Sequence, residues 1–187
     1  MTGTAIPYGA IVHYGAAEGT LTLKNTELIA PVAGTADEIN SASPSVIGVA
    51  AWAQTGENID EAWKLVVTDC TIRTNGFAVF DRWNNATYTN TTFTGLEGVE
   101  GLDDIEVKTC YMALNNPHAN DVTYDHCTFR NMRSWGMLVA GEELTVTDCT
   151  FDGTNQSCAI SVAYGTIDKC TITGNTFDLS GSGSGIM

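Results

Sequence analysis

The chain has 187 residues, 43% of them hydrophobic, which is enough to build a buried core and too apolar for a disordered segment. Its 8 Lys and Arg stand against 22 Asp and Glu, a net charge of -14 that repels phosphate backbones and anionic membranes and argues against a nucleic-acid partner. No apolar run approaches the roughly 20 residues of a membrane span, so membrane insertion is not expected, and MTGTAIPYGAIVHYG at the start lacks the pattern of an export signal.

In chain order, the first alternating apolar segment is AIVHY from Ala10, followed by LTLKNTEL from Leu21. Two excursions rich in small polar residues come next, one from Pro31 and one from Trp52, with the apolar run SVIGVAA from Ser45 between them. One pattern then recurs: apolar, any residue, apolar, two mostly polar residues, Cys or Thr, any residue, apolar. It reads LVVTDCTI from Leu65, ATYTNTTF from Ala86, IEVKTCYM from Ile105, VTYDHCTF from Val122, LTVTDCTF from Leu144 and GTIDKCTI from Gly165. Apolar positions two apart, filled by Val, Ile, Tyr and Phe, predict strands rather than helices. A second pattern, GFAVF from Gly76, GMLVA from Gly136, AISVA from Ala159 and GIM from Gly185, predicts a further strand in each unit.

The sixth positions are Thr26, Cys70, Thr91, Cys110, Cys127, Cys149 and Cys170, separated by 44, 21, 19, 17, 22 and 21 residues. The longest interval fits two periods, with SVIGVAA in a degenerate turn. About twenty residues are too few for a βαβ crossover in each unit, so a solenoid of stacked parallel strands is predicted. The expected fold is all-β: a single-stranded right-handed parallel β-helix of about eight coils of roughly 20 residues, one domain over residues 1–187.

VTYDHCTFRNM, LTVTDCTFDGT and ITGNTFDLSGSGSGI resemble repeats of the pectate-lyase-like right-handed β-helix superfamily, with the likeness covering roughly residues 11–187. The resemblance implies that the Cys column lies at the sharp turn after the second strand, where the superfamily often stacks Asn, and that GMLVA-like segments are first strands. In the last coil both Cys170 and Asn175 suit the column position. The superfamily spans lyases, hydrolases, tailspikes and adhesins, so it implies no single activity.

The recurring cysteines are expected to be buried free thiols, because strands stacked in register hold their Cβ vectors parallel, a poor geometry for disulfides. There is no CxxC pair, and His13, His118 and His126 have no zinc-like spacing to any cysteine. Enzymes of the superfamily carry acids and bases on the outward face of the first strand. Here alternation turns Ala78, Phe80, Leu138, Ala140, Ser161 and Ala163 outward, an apolar strip without catalytic groups that would meet a partner. Outward Thr22, Thr87, Thr123, Thr145 and Thr166 hint at an ice-binding array, but Val66 and Glu106 interrupt it.

Two loops combine guanidinium with indole, which suits acidic glycans: Arg82 and Trp83 beside Asp81, and Arg130, Arg133 and Trp135. No catalytic residue is expected, Asp81, Arg82 and His118 being the weak candidates. No resident cofactor or metal is expected either, calcium at Glu100, Asp103 and Asp104 being the exception to consider. No terminal cap is recognisable, so a neighbouring domain or subunit is expected to cover the helix ends. The leading expectation is a non-catalytic extracellular, cell-surface or virion module, adhesin-like or tailspike-like, that touches a glycan or surface protein. Part of a polysaccharide lyase or glycoside hydrolase is the alternative, and an architectural oligomerising protomer the third.

Overall fold

A computed structural model describes residues 12–14, 19–42, 44–49, 63–81, 85–152, 158–162, 167–178 and 184–186. The first coil contains β1 (Val12–Tyr14), β2 (Gly19–Lys24) and β3 (Glu27–Ala30); the second adds helix α1 (Ala36–Ala42) before β4 (Ser45–Val49), β5 (Trp63–Thr68) and β6 (Thr71–Thr74). The third comprises β7 (Phe77–Asp81), β8 (Asn85–Thr89) and β9 (Thr92–Thr94), the fourth β10 (Ala113–Asp125) and β11 (Thr128–Arg130). The fifth has β12 (Trp135–Thr147) and β13 (Thr150–Asp152), and the sixth β14 (Cys158–Val162), β15 (Lys169–Thr173) and β16 (Thr176–Asp178). A seventh turn opens with β17 (Ser184–Ile186).

All named strand pairings are parallel. The first face runs β1-β4-β7-β10-β12-β14-β17, the second β2-β5-β8-β10-β12-β15, and the third β3-β6-β9-β11-β13-β16. The long strands β10 and β12 serve both the first and second faces, with an irregularity between Asn115 and Ala119. This is the predicted parallel β-helix, each coil hydrogen-bonded to the next.

Three register expectations change. Leu21 pairs directly with Leu65, so the 44-residue interval is one enlarged coil rather than two, and SVIGVAA supplies β4, a first strand. IEVKTCYM is no second strand: residues 95–109 form turns that leave the third face, and Cys110 meets Met132 through an isolated bridge. The neck of that excursion is tight. Leu96 N donates to Lys108 O at 2.6 Å, and a Cβ on Gly95 would collide with the same carbonyl. In the sixth coil Cys170 aligns with Leu144 inside β15, while Asn175 Oδ1 accepts from Cys149 N at 2.7 Å and takes the column position. The first face has seven strands among the described residues.

The turn column is thus Thr26, Cys70, Thr91, Cys127, Cys149 and Asn175, and the residue before each has positive φ: Asn25, Asp69, Asn90, His126, Asp148 and Gly174. A one-residue left-handed turn joins second strand to third in every coil. Asn, Asp, His and Gly tolerate that conformation far better than β-branched or long side chains. The turn is held from coil to coil by Asp69 N to Thr89 O, Asn90 N to Asp125 O, His126 N to Thr147 O and Asp148 N to Thr173 O, all 2.9–3.1 Å.

Inside, each face contributes columns. Leu65, Ala86, Val122 and Leu144 stack on the second face beside Val67, Tyr88, Tyr124 and Val146, all buried. On the third face Phe93, Phe129, Phe151 and Phe177 stack at 4.8–4.9 Å with nearly parallel rings. Each fully buried ring contributes about 1.5–3 kcal/mol by leaving water, and the ring pairs add about 0.5–1.5 kcal/mol.

Candidate functional site

The first face places Gly48, Phe80, Leu114, Leu138 and Ser161 in one column between inward positions. No acid or base stands in it. Part of the expected exposed apolar strip is in fact covered: Phe77, Met112 and Leu138 are buried and pack with Phe80, Tyr111 and Trp135 into a second cluster outside the main core. Phe77 meets Phe80 and Tyr111 edge-on at 5.2 and 4.7 Å. Ala78, expected outward, is fully buried in the main core cluster together with Val79. Ala140 and Ala163 lie outside the residues whose side chains are described.

The Arg and Trp loops separate into different roles. Arg133 turns into the protein: Nη1 donates to Thr109 O at 2.6 Å and Asn75 O at 3.1 Å, and Nη2 to Asn40 Oδ1 at 2.7 Å. Its guanidinium lies 5.1 Å from the Tyr111 ring centroid, and burial lowers its pKa. The Arg133 Nε is buried with no hydrogen-bond partner among the described residues, and the side chain ties helix α1, the turn before β7 and the 95–109 excursion together. Trp135 is half-buried against the second cluster. Arg130 stands exposed on the third face, paired with Asp152 across adjacent coils at 2.8 Å. Arg82 and Trp83, and the side chains of Asp81 and His118, lie outside the described residues; the Asp81 backbone ends β7 opposite Asn115.

Glu100, Asp103 and Asp104 are exposed along the excursion from the third face, and among the described residues they are not part of a converging ligand group. Glu97, on the same excursion, accepts from Asn131 Nδ2 at 2.9 Å. The outward threonine column also changes members. Register places Thr22, Val66, Thr87, Thr123, Thr145 and Thr171 in line, and Glu106 belongs to the excursion. Val66 still breaks this column, and Lys24 and Asp125 charge the neighbouring one, so no flat hydroxyl array results.

Cys70, Cys110, Cys127 and Cys149 are buried and form no disulfide, as expected. Cys127 N donates to Cys149 Sγ at 3.4 Å, and the hydrogen bond to Cys149 together with burial holds the Cys127 thiol up. Burial pushes Cys110 up to about 12. Cys170 is exposed rather than buried, because β15 ends the second face among the described residues.

One group escaped the sequence reading. Asp125, His126 and Asp148 bring one ligand atom each within 4.8 Å of one another at the turn between second and third faces. His126 Nδ1 lies 2.9 Å from Asp125 Oδ1, and this hydrogen bond and the carboxylate charges raise the imidazole pKa. The legible signal was YDHC followed 22 residues later by VTDC, which puts His126 and Asp148 at one turn position in consecutive coils.

Residues 48–187 match the family described as right handed beta helix region, three quarters of the chain, and the chain belongs to that family. No curated protein and no solved structure matches it.

Proposed function

We propose that this right-handed β-helix is a non-catalytic binding and structural module that works outside the cell, at a cell or virion surface, in the manner of adhesins and tailspikes. The supporting observation is the first-face column Gly48, Phe80, Leu114, Leu138 and Ser161, which holds no carboxyl or imidazole group to act as acid, base or carboxylate nucleophile on a glycosidic bond. Polysaccharide-cleaving chemistry needs such groups beside the substrate.

The glycan-facing flank is the exposed third-face edge at Arg130, with Trp135 half-exposed at the start of the next coil and Arg82 and Trp83 as further contacts. Acidic sugars fit best, since guanidinium pairs with carboxylates and an indole plane stacks on a ring.

A glycan array run beside an assay for unsaturated or reducing ends released from acidic polysaccharides tests this reading. Saturable binding without product release, lost in Arg130→Ala/Trp135→Ala with the β-sheet circular dichroism retained, is the expected result. Product release would overturn the non-catalytic assignment, and absence of both would overturn the glycan assignment.

A further inference from the structure

We propose that Asp125, His126 and Asp148 form a surface site for a divalent transition ion of the zinc class, with Nδ1 of His126 and one oxygen from each carboxylate as ligands. The site is independent of the glycan reading and lies at the turn edge between second and third faces. The three ligand atoms fall within 4.8 Å of one another, and the imidazole and Asp148 are exposed to an arriving ion. Tetrahedral zinc with bonds of about 2.0–2.2 Å spaces its ligands by roughly 3.4 Å, a closure that side-chain rotation supplies.

The backbone under the site is fixed. His126 and Asp148 occupy the same left-handed turn position, with φ of 54° and 51°, in consecutive coils. His126 N donates to Thr147 O and Asp148 N to Thr173 O, both at 3.0 Å, so the two side chains leave the solenoid one above the other. The Asp148 carboxylate reaches over Gly174, where the next coil has no Cβ; a side chain there would collide with Asp148 Oδ1. Lower in the column Asn90 Nδ2 donates to Asp69 Oδ1 at 2.7 Å. Only at 126 and 148 does the column set an imidazole above a carboxylate, with a second carboxylate at 125 to complete a triad.

The donor set selects the ion class. Calcium takes six to eight oxygens, which this edge lacks. One imidazole with two carboxylates suits zinc-class ions, and three protein ligands leave the fourth position for water or a ligand oxygen. Two carboxylates match the ion's charge of two. Binding uses the Nδ1 lone pair, so any proton on Nδ1 leaves to solvent.

The test is calorimetric titration of the full chain with Zn²⁺ in a non-chelating buffer, alongside His126→Asn, Asp148→Asn and Cys170→Ser. Asn suits the left-handed turn, so the first two variants keep the backbone, and the third removes the exposed thiol of Cys170, a competing zinc ligand. Saturable binding of one equivalent is expected, weakened beyond the roughly 10–100-fold of an outer-shell change in His126→Asn and Asp148→Asn and retained in Cys170→Ser. Absence of saturable binding, or its loss in Cys170→Ser alone, would overturn the site. Should a variant fail to fold, amide NMR of the unmodified chain decides: Zn²⁺ must shift or broaden the signals of residues 125, 126 and 148, and unmoved signals there refute the assignment.

Discussion

Arg133 Nη2 donates to Asn40 Oδ1 at 2.7 Å, joining two residues 93 positions apart. The same guanidinium holds the carbonyls of Asn75 and Thr109, so one side chain ties helix α1, the turn before β7 and the excursion before β10 to the fourth coil. A solenoid whose coils differ in length needs such a clamp, because the extra segments have no matching segment above or below to pair with.

Arg133→Ala should therefore destabilise the chain by about 2–4 kcal/mol, the magnitude of several hydrogen bonds to a charged donor left unmade. Arg133→Lys should not restore it, since one ammonium cannot span the fork. Denaturant unfolding measures the loss, and hydrogen exchange should quicken first in residues 36–42 and 95–109. Unchanged stability would contradict the clamp.

Phe129 sits between Phe93 and Phe151 at 4.9 and 4.8 Å, fully buried. Phe129→Ala should cost about 3–5 kcal/mol, and more than the same change at Phe177, whose ring is only half-buried at the end of the stack. Thermal unfolding of the two variants gives the ranking.

Of the six cysteines, Cys170 alone is exposed. A thiol reagent at neutral pH should modify one cysteine quickly in the native chain and all six after denaturation. Peptide mapping should find the fast label on Cys170. Early labelling of Cys110, whose thiol burial pushes up to about 12, would refute the packing of its turn.

Thr35 and Glu38 form a capping box at the start of α1: Thr35 N donates to Glu38 Oε2 at 2.8 Å, and Glu38 N to Thr35 Oγ1 at 3.4 Å. The backbone hydrogen bond, with help from the hydroxyl, lowers the Glu38 pKa below its ordinary 4.5. A depressed folded pKa means that the cap's stabilisation is complete above the unfolded value and is lost as pH falls through the folded one. NMR titration of the Glu38 carboxyl should give a midpoint below 4.5, and Thr35→Ala should move it back up. A midpoint unaffected by Thr35→Ala would show that the box does not form in solution.

Much of the fold was legible because a β-helix repeats its contacts. Leu65, Val67, Cys70 and Ile72 recur in type as Leu144, Val146, Cys149 and Phe151, and a period of about twenty with two-residue alternation leaves few other architectures. The misread copies share one feature. Thr109 and Lys169 precede Cys110 and Cys170, whereas every true turn has Asn, Asp, His or Gly at that position. A cysteine in phase was weaker evidence than a residue able to take a left-handed φ, because the turn geometry is decided by the backbone. Far less of the candidate site was legible. Arg133 and Arg130 look alike in FRNMRSW, yet one faces the Asn40 side of the turn stack and the other faces water.

By itself, then, the sequence determined the parallel solenoid, its family and the inward columns of Val, Ile, Tyr and Phe, since these depend on local periodicity repeated coil after coil. Only the tertiary structure decided which coils are enlarged, that the outer aromatics Phe77 and Tyr111 pack with Leu138 into a cluster of their own, and that His126 stands over Asp148. Those relationships depend on how residues in different coils stack. A one-residue slip or an extra loop between coils changes which side chains meet, while leaving each local pattern intact.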